Sequence, residues 1–411
     1  MNPNTQVVIT GLGATTPLGG DVASTWSALL AGNSGIGVVG GVDSGAFSSL
    51  PLTFAGTMAV DPADVLTPVQ CKRLDRSQQA TLVAAAEAWA DAGAPDVDRD
   101  RLAVAIGTGI GGVQTLLRED DVLESSGVRR VSPRTVPMLM PNAAAAAVSI
   151  EYGATAGVYT PVSACSSGAE ALALGARLIR AGEADVVIAG GTEAATTPIT
   201  IAGFVQARAL SRYVGEASSA SRPFTADRNG FVLGEGAGVV VLESAQHAAR
   251  RGAHVYAMLA GAGIAADAHH MTAPAPDGAG QIAAMRKALR QAGLSSGEIG
   301  HVNAHATGTP VGDVAEAAAI REVFGANMIV TAPKASLGHL FGAAGAVEAI
   351  LTILSIENDV VPPTRNLATA EVDPEVQLDV VTQRRDAVQE AAMTNSFGFG
   401  GQNVSLVFAK A

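Results

Sequence analysis

The chain reads as an α/β protein, and three observations predict it. Short apolar runs of strand length alternate with longer Ala- and Leu-rich runs of helix length, the pattern of layered folds with largely parallel sheets. Charged residues are only 16% of the total, against the roughly 25% usual for soluble domains, and glycine fills 47 positions. That balance suits central elements that touch protein on both faces. The length of 411 residues exceeds one compact core of ordinary size. Two fused halves are expected, residues 1–250 and 251–411.

Val7 to Gly13 reads as a buried strand, and Asp21 can cap the helix that follows through Leu30. Ser77 to Ala92 is a long helical stretch with a stop at Gly93. Leu102 to Ile106 is a strand, Asn142 to Tyr152 a helix and Ala169 to Ala181 another. Strands at Asp185 to Gly190 and Ala237 to Leu242 complete the first half. The second half repeats the logic. A strand lies within His254 to Gly263, then come a helix at Gly280 to Gln291 and a strand at Ile299 to Ala304. Asp313 to Phe324 is a helix, Met328 to Ala332 a short strand and Gly342 to Ile356 a strongly apolar helix. The last strands lie around Ala391 to Ser396 and Val404 to Ala409. An internal repeat is suggested: Cys165, helix, Asp185 strand parallels His339, helix, Asp359-Val-Val.

A net charge of −12 argues against general nucleic-acid binding. The first cationic residue is Lys72, so no secretory leader is expected, and no apolar run is long enough to span a bilayer. Cys71 and Cys165 form no metal or disulfide spacing, which fits a reducing cytoplasm.

Cys165 sits in Pro161-Val-Ser-Ala-Cys165-Ser-Ser-Gly168, directly ahead of a helix. Free N–H groups and the helix dipole there favour the thiolate. Free cysteine is also among the most buried residue types, so alone it can be read as an inert core residue. Partners decide between the two. They stand in His301-Val-Asn303-Ala-His305-Ala-Thr307-Gly-Thr309, in Pro333-Lys334-Ala-Ser-Leu-Gly-His339 and in Asn395-Ser-Phe397-Gly-Phe399-Gly-Gly401. A thiolate that holds an acyl group as a thioester needs N–H donors for its oxygen and dry surroundings. Cys165 supplies the thiolate and its own N–H one donor. His305 and His339, as neutral imidazoles, can donate from Nε2 to an oxyanion. The remaining histidines read as structural; His269-His270 finds no third metal ligand at convincing spacing. Lys334 lies among small residues, and Glu348 is its expected counter-charge. Gly107-Thr-Gly109-Ile-Gly-Gly112 matches a dinucleotide fingerprint, but the acidic residue expected about 20 positions later is missing, so it reads as a decoy.

These segments, in this order and spacing, resemble the elongating β-ketoacyl-acyl carrier protein synthases, the type II condensing enzymes of fatty acid and polyketide synthesis. The resemblance runs from Val7 to Phe408. It implies a thiolase-like fold, with two pseudo-repeated halves in a five-layer αβαβα arrangement, usually as a homodimer. The implied reaction is decarboxylative Claisen condensation of an acyl-enzyme with malonyl-carrier, elongating fatty acyl chains with no metal or organic cofactor. The resemblance implies that the Phe399 N–H completes the oxyanion hole at Cys165 and that Lys334 tunes the site. It gives Thr307 and Thr309 to the pantetheine arm, although the same hydroxyls can cap the helix near Asp313. Ile110 matches a gate of the acyl pocket and Phe204 a residue lining it. Phe399, among glycines, is either a gate or a packing anchor.

Lys72, Arg73, Arg129, Arg130 and Arg208 fall where relatives receive the acidic acyl carrier protein; ordinary solvated surface is the other reading. In some relatives a monovalent cation lies near the positions of Asn303, Glu348 and Asn395. Arg134-Thr135 departs from the apolar residues that some relatives carry near the acyl-pocket base. A type II polyketide ketosynthase would keep all these motifs. A non-catalytic condensing partner would lack the nucleophile, which intact Cys165 opposes.

Overall fold

Eleven strands form one continuous sheet among the described residues, which are 5–39, 47, 49–367 and 371–411 of a computed structural model. From one edge the order is Asp379–Val380, Ile329–Thr331, His301–Asn303, Ala391–Gly398, Gln402–Ala409, Ala257–Ala266, Val7–Thr15, Gly236–Ser244, Val186–Glu193, Leu102–Gly107 and Gly157–Tyr159. Two alike halves meet in the middle, where Val8 and Ile9 pair with Met258 and Ala257. In the first half, Val7–Thr15 and Val186–Glu193 flank Gly236–Ser244 antiparallel to it, and Leu102–Gly107 and Gly157–Tyr159 continue parallel. In the second, Ala257–Ala266 and Ala391–Gly398 flank Gln402–Ala409 antiparallel, and His301–Asn303 and Ile329–Thr331 continue parallel. The sheets are therefore parallel only in part.

This register corrects the repeat expected from the sequence. The counterpart of Val186–Glu193 is Ala391–Gly398, whereas Val360–Val361 pairs with Arg385–Asp386 in a separate ribbon. An apolar dipeptide after a helix was too weak a signal to place a central strand.

Layering follows from where the apolar faces point. Helices Ser167–Ala181 and Ala344–Glu357 lie between the halves, with Leu172, Ile179, Ile350 and Ile353 in one core with strand residues of both. Residues Ala344 to Ile356 are buried without exception, as expected for a helix apolar all round. Arg76–Asp91 and Ala143–Tyr152 cover the outer face of the first half, and Ala279–Ala292 and Pro310–Phe324 that of the second. Five αβαβα layers result. The central helices approach through small residues. A Cβ on Gly345 would lie 2.7 Å from the backbone nitrogen of Ala169 on the other helix, so only glycine fits there.

Local signals also behave as read. Asp21 caps Val22–Leu30 in a capping box with Ser24, and Asp75 does the same for Arg76–Asp91 with Gln78. Two starts differ. The helix expected from Asp313 opens at Pro310, whose missing N–H suits a first turn. The helix expected from Gly342 opens at Ala344 after a 3-10 turn, Phe341–Ala343. No helix among the described residues is long and apolar enough to cross a membrane.

Candidate active site

Cys165 stands in a 3-10 turn, Ala164–Ser166, that feeds the central helix. The turn is bent by φ +53° at Ala164, a left-handed value that surrounding bonds must hold. Ser166 Oγ donates to the carbonyls of Ser396 and Gln402, at 2.9 and 2.6 Å. Ser167 Oγ donates to Thr108 and Ala164 and accepts the Ser163 N–H. Two serines thus tie the Cys165 turn to both halves.

The second half brings the imidazoles. Cys165 Sγ and one ring nitrogen each of His305 and His339 all lie within 4.8 Å of one another, every residue buried. The two rings are 5.4 Å apart at 84°. Among the described residues this is the one group of three His, Cys, Asp or Glu whose ligand atoms converge in this way. It opens into a cavity of about 350 Å³ whose lining includes Thr307, Thr309, Phe341, Phe399 and Arg208.

His339 is set by its backbone. The Phe341 N–H donates to His339 Nδ1 at 3.3 Å, which leaves the ring proton on Nε2. That Nε2 is buried with no partner of its own. Burial, and then the Lys334 charge, push the pKa of His339 well below the usual histidine value. The same causes, with His339 added, act on His305. Both rings are therefore neutral near pH 7. The His305 turn is fixed by Glu316, which accepts the N–H groups of His305 and Ala306 at 2.7 Å each.

Lys334 is buried and meets Glu348 at 2.5 Å, as expected for an ammonium taken out of water. The expected thiolate is not found at rest. Burial pushes the Cys165 thiol up to about 11, against the Phe399 N–H, the Lys334 charge and its own N–H, all of which pull it down. Desolvation outweighs the helix end. The N–H groups of Phe399 and Cys165 nonetheless favour the ionised sulfur.

Glu193, at the end of a central strand, is fully buried and accepts from Thr108 Oγ1 and the N–H groups of Gly109, Ile110 and Gly342. The glycine-rich turn that mimics a phosphate loop is thus filled by a carboxylate of the chain itself.

Two matches decide the family. Residues 4–248 fit the model described as "Beta-ketoacyl synthase, N-terminal domain", and residues 256–368 that described as "Beta-ketoacyl synthase, C-terminal domain". The chain belongs to the β-ketoacyl synthase family. Over 407 residues this β-ketoacyl synthase is 45% identical to a 3-oxoacyl-[acyl-carrier-protein] synthase 2 of Mycobacterium tuberculosis, covering 98% of this chain and 97% of that one. A solved β-ketoacyl synthase from Burkholderia phymatum superposes with a TM-score of 0.91 at 35% identity, over 99% of this chain and 100% of that one. A type II polyketide ketosynthase, solved in complex with its acyl carrier protein, gives 0.90 at 30% over 99% of each.

The remaining residues singled out in the sequence are placed as follows. Phe204 packs against Phe231, Phe341 and Phe399, with ring centroids 5.3, 5.2 and 6.4 Å away. Ile110 lies on the Glu193-held turn outside the cavity lining. Thr309 precedes Pro310 without capping it through its side chain and instead bonds Thr307 Oγ1 at 3.2 Å. Arg208 stands at the cavity, while Lys72, Arg73, Arg129 and Arg130 are on exposed surface outside its lining. Asn303 Oδ1 and Glu348 Oε2 are buried without partners, hard oxygens that fit a monovalent cation. Asn395 Oδ1 is taken by the Ser405 hydroxyl and fits less well.

Sequence reading in this synthase missed Glu193, Glu316, Asp267 and Phe341. Asp267 accepts from Asn403 at 2.6 Å and donates its N–H to the Gly401 carbonyl, holding the glycine loop around Phe399. Glu316 carried a signal: with Asp313 it puts two acids one turn apart on an Ala-rich helix next to His305.

Proposed function

We propose that this condensing enzyme elongates fatty acyl chains by a ping-pong route between carrier-bound thioesters. The observation that carries the reading is the convergence of one thiol and two neutral imidazoles within 4.8 Å in one buried cavity. Cys165 takes an acyl group from acyl carrier protein; its thiol proton leaves with the carrier's thiol. The Cys165 and Phe399 N–H groups, both of which favour the ionised sulfur, hold the thioester oxygen, and one such donor is worth roughly 3–4 kcal/mol. Malonyl-carrier then enters past Thr307 and Thr309. His305 and His339 donate to its thioester oxygen while carbon dioxide departs, and the resulting carbanion attacks the acyl carbon. Cys165 leaves as thiolate and regains a proton. The product is a β-ketoacyl-carrier two carbons longer. Asn303 and Glu348 would hold a cation, which supplies positive charge to that carboxylate when bound.

The 45% identity to a synthase named for acyl-carrier-protein substrates supports the carrier as partner, and Arg208 at the cavity supports a basic landing site with Lys72, Arg73, Arg129 and Arg130. A homodimer is supported by the edge strand Gly157–Tyr159 with exposed Val158, beside a helix with exposed Ile150. Unpaired Cys71 and Cys165 fit a cytoplasmic setting. The division at residues 250 and 251 assigns the nucleophile to one half and His305, Lys334 and His339 to the other.

An elongation assay with malonyl-carrier and a ladder of acyl-carrier primers, products weighed by mass spectrometry, tests the reading. Products heavier by two carbons, two hydrogens and one oxygen, with equimolar carbon dioxide, are expected. Acyl transfer without carbon dioxide release would refute it.

A further inference from the structure

The second half of the chain rebuilds the nucleophile turn. Ala164–Ser166 precedes helix Ser167–Ala181, and Phe341–Ala343 precedes helix Ala344–Glu357. Each turn opens on a positive φ, +53° at Ala164 and +47° at Phe341. A small residue suffices in the first. In the second stands phenylalanine, a genuine outlier in the left-handed region that tight packing must hold. The bend aims its N–H at His339 Nδ1, and its ring stacks on the same imidazole, centroids 4.7 Å apart at 10°. Its other sides meet Phe204 at 5.2 Å and Phe231 at 5.6 Å, and those two meet each other at 5.3 Å. Phe341 is buried in one apolar cluster with Cys165 and Ile201. Of the ten phenylalanines in the chain, Phe204, Phe231, Phe341, Phe397 and Phe399 gather here, so rigid rings form much of the wall of the cavity around the sulfur.

We propose that Phe341 is a positioning and specificity residue. Its ring is the wall shared by the acyl group on Cys165 and by His339; it excludes acyl groups branched next to the thioester and holds the imidazole in the plane that serves malonyl. The inference rests on the condensation reading above. With the thioester oxygen at the two N–H groups, the next carbons of the acyl chain run along the three-ring cluster. A methyl branch there displaces Phe341, and displacing Phe341 tilts the ring stacked on it. One residue thereby links what is loaded on the sulfur to whether the second step proceeds.

The test compares butyryl- and 2-methylbutyryl-carrier primers with malonyl-carrier, using the full-length wild type and Phe341→Leu, Phe341→Ala and Phe341→Tyr. Circular dichroism and melting confirm folding. The wild type is expected to favour the straight primer at least about tenfold in kcat/KM, the scale of one methyl group in a close-fitting pocket, and the Leu and Ala variants to narrow this to about threefold. Malonyl decarboxylation should lose about tenfold in kcat at unchanged KM in the Leu variant, and the Tyr variant, which keeps the stack, should restore it. A folded Leu variant with the wild-type branching ratio, or with the same decarboxylation kcat as the Tyr variant, overturns the proposal. A wild type that neither extends primers nor releases carbon dioxide overturns the condensation reading, and this proposal with it.

Discussion

Lys334 Nζ and Glu348 Oε1 meet at 2.5 Å with both side chains buried. The ammonium adds to burial in holding His305 and His339 neutral and pulls the Cys165 thiol down. Removing a positive charge lets a neighbouring imidazole protonate more readily, so the pKa of both rings moves up toward the ordinary histidine value. A protonated His339 can no longer accept the Phe341 N–H at Nδ1. Malonyl decarboxylation in the wild type should stay level as pH falls from 8 and drop only well below 6.5. In Lys334→Ala the drop should begin nearer neutrality. Carbon dioxide release against pH checks this, on protein verified as folded, since an unpaired buried partner costs on the order of 3–5 kcal/mol.

Glu193→Gln should move stability and reactivity in opposite directions. Four donors converge on the two carboxylate oxygens, and an amide NH₂ would face two of them donor to donor. The loss should be about 1–3 kcal/mol, read from denaturant melts. The Glu193 charge also raises the Cys165 thiol. Without it the thiol should ionise at lower pH and alkylate faster with iodoacetamide, as peptide mass spectrometry would show.

The motif residues were legible because their chemistry and their settings of small residues coincide in the sequence. Cys165, His305, Lys334 and His339 each sit beside glycine or alanine at or near the start of a helix, and the fold gathers those segments. The long helices were legible because Asp21 and Gly93 punctuate them, and the central strands because they are short apolar runs. Glu193 and Phe341 were not. Glu193 ends a buried strand, and only the register shows that its carboxylate meets a turn 84 residues away. Phe341 looks like one more apolar residue until its positive φ and its stack on His339 are known. The Asp359 strand was misplaced because pairing across the sheet is set by partners distant in sequence.

His301 should add to acid lability, alongside the buried His305 and His339. It is buried, both ring nitrogens lack partners, and burial pulls its pKa down to about 3. The unfolded chain takes up this proton near pH 6.5 and the folded one does not. The contribution of this one group is therefore complete above pH 6.5 and falls by about 1.4 kcal/mol per pH unit as pH drops toward 3. His301→Leu removes that share of the dependence and leaves no polar atom of this side chain unpaired. Urea unfolding between pH 7 and 4 should show a shallower decline in the variant; parallel curves would contradict the assignment.

Peptide-resolved mass spectrometry of the wild-type enzyme, loaded with acyl-carrier and then chased with malonyl-carrier, tests the central claim most directly. The account predicts the acyl mass on the peptide containing Cys165, discharged by the chase in step with carbon dioxide release. An acyl group on Cys71, or one on Cys165 that malonyl-carrier leaves in place, would contradict it.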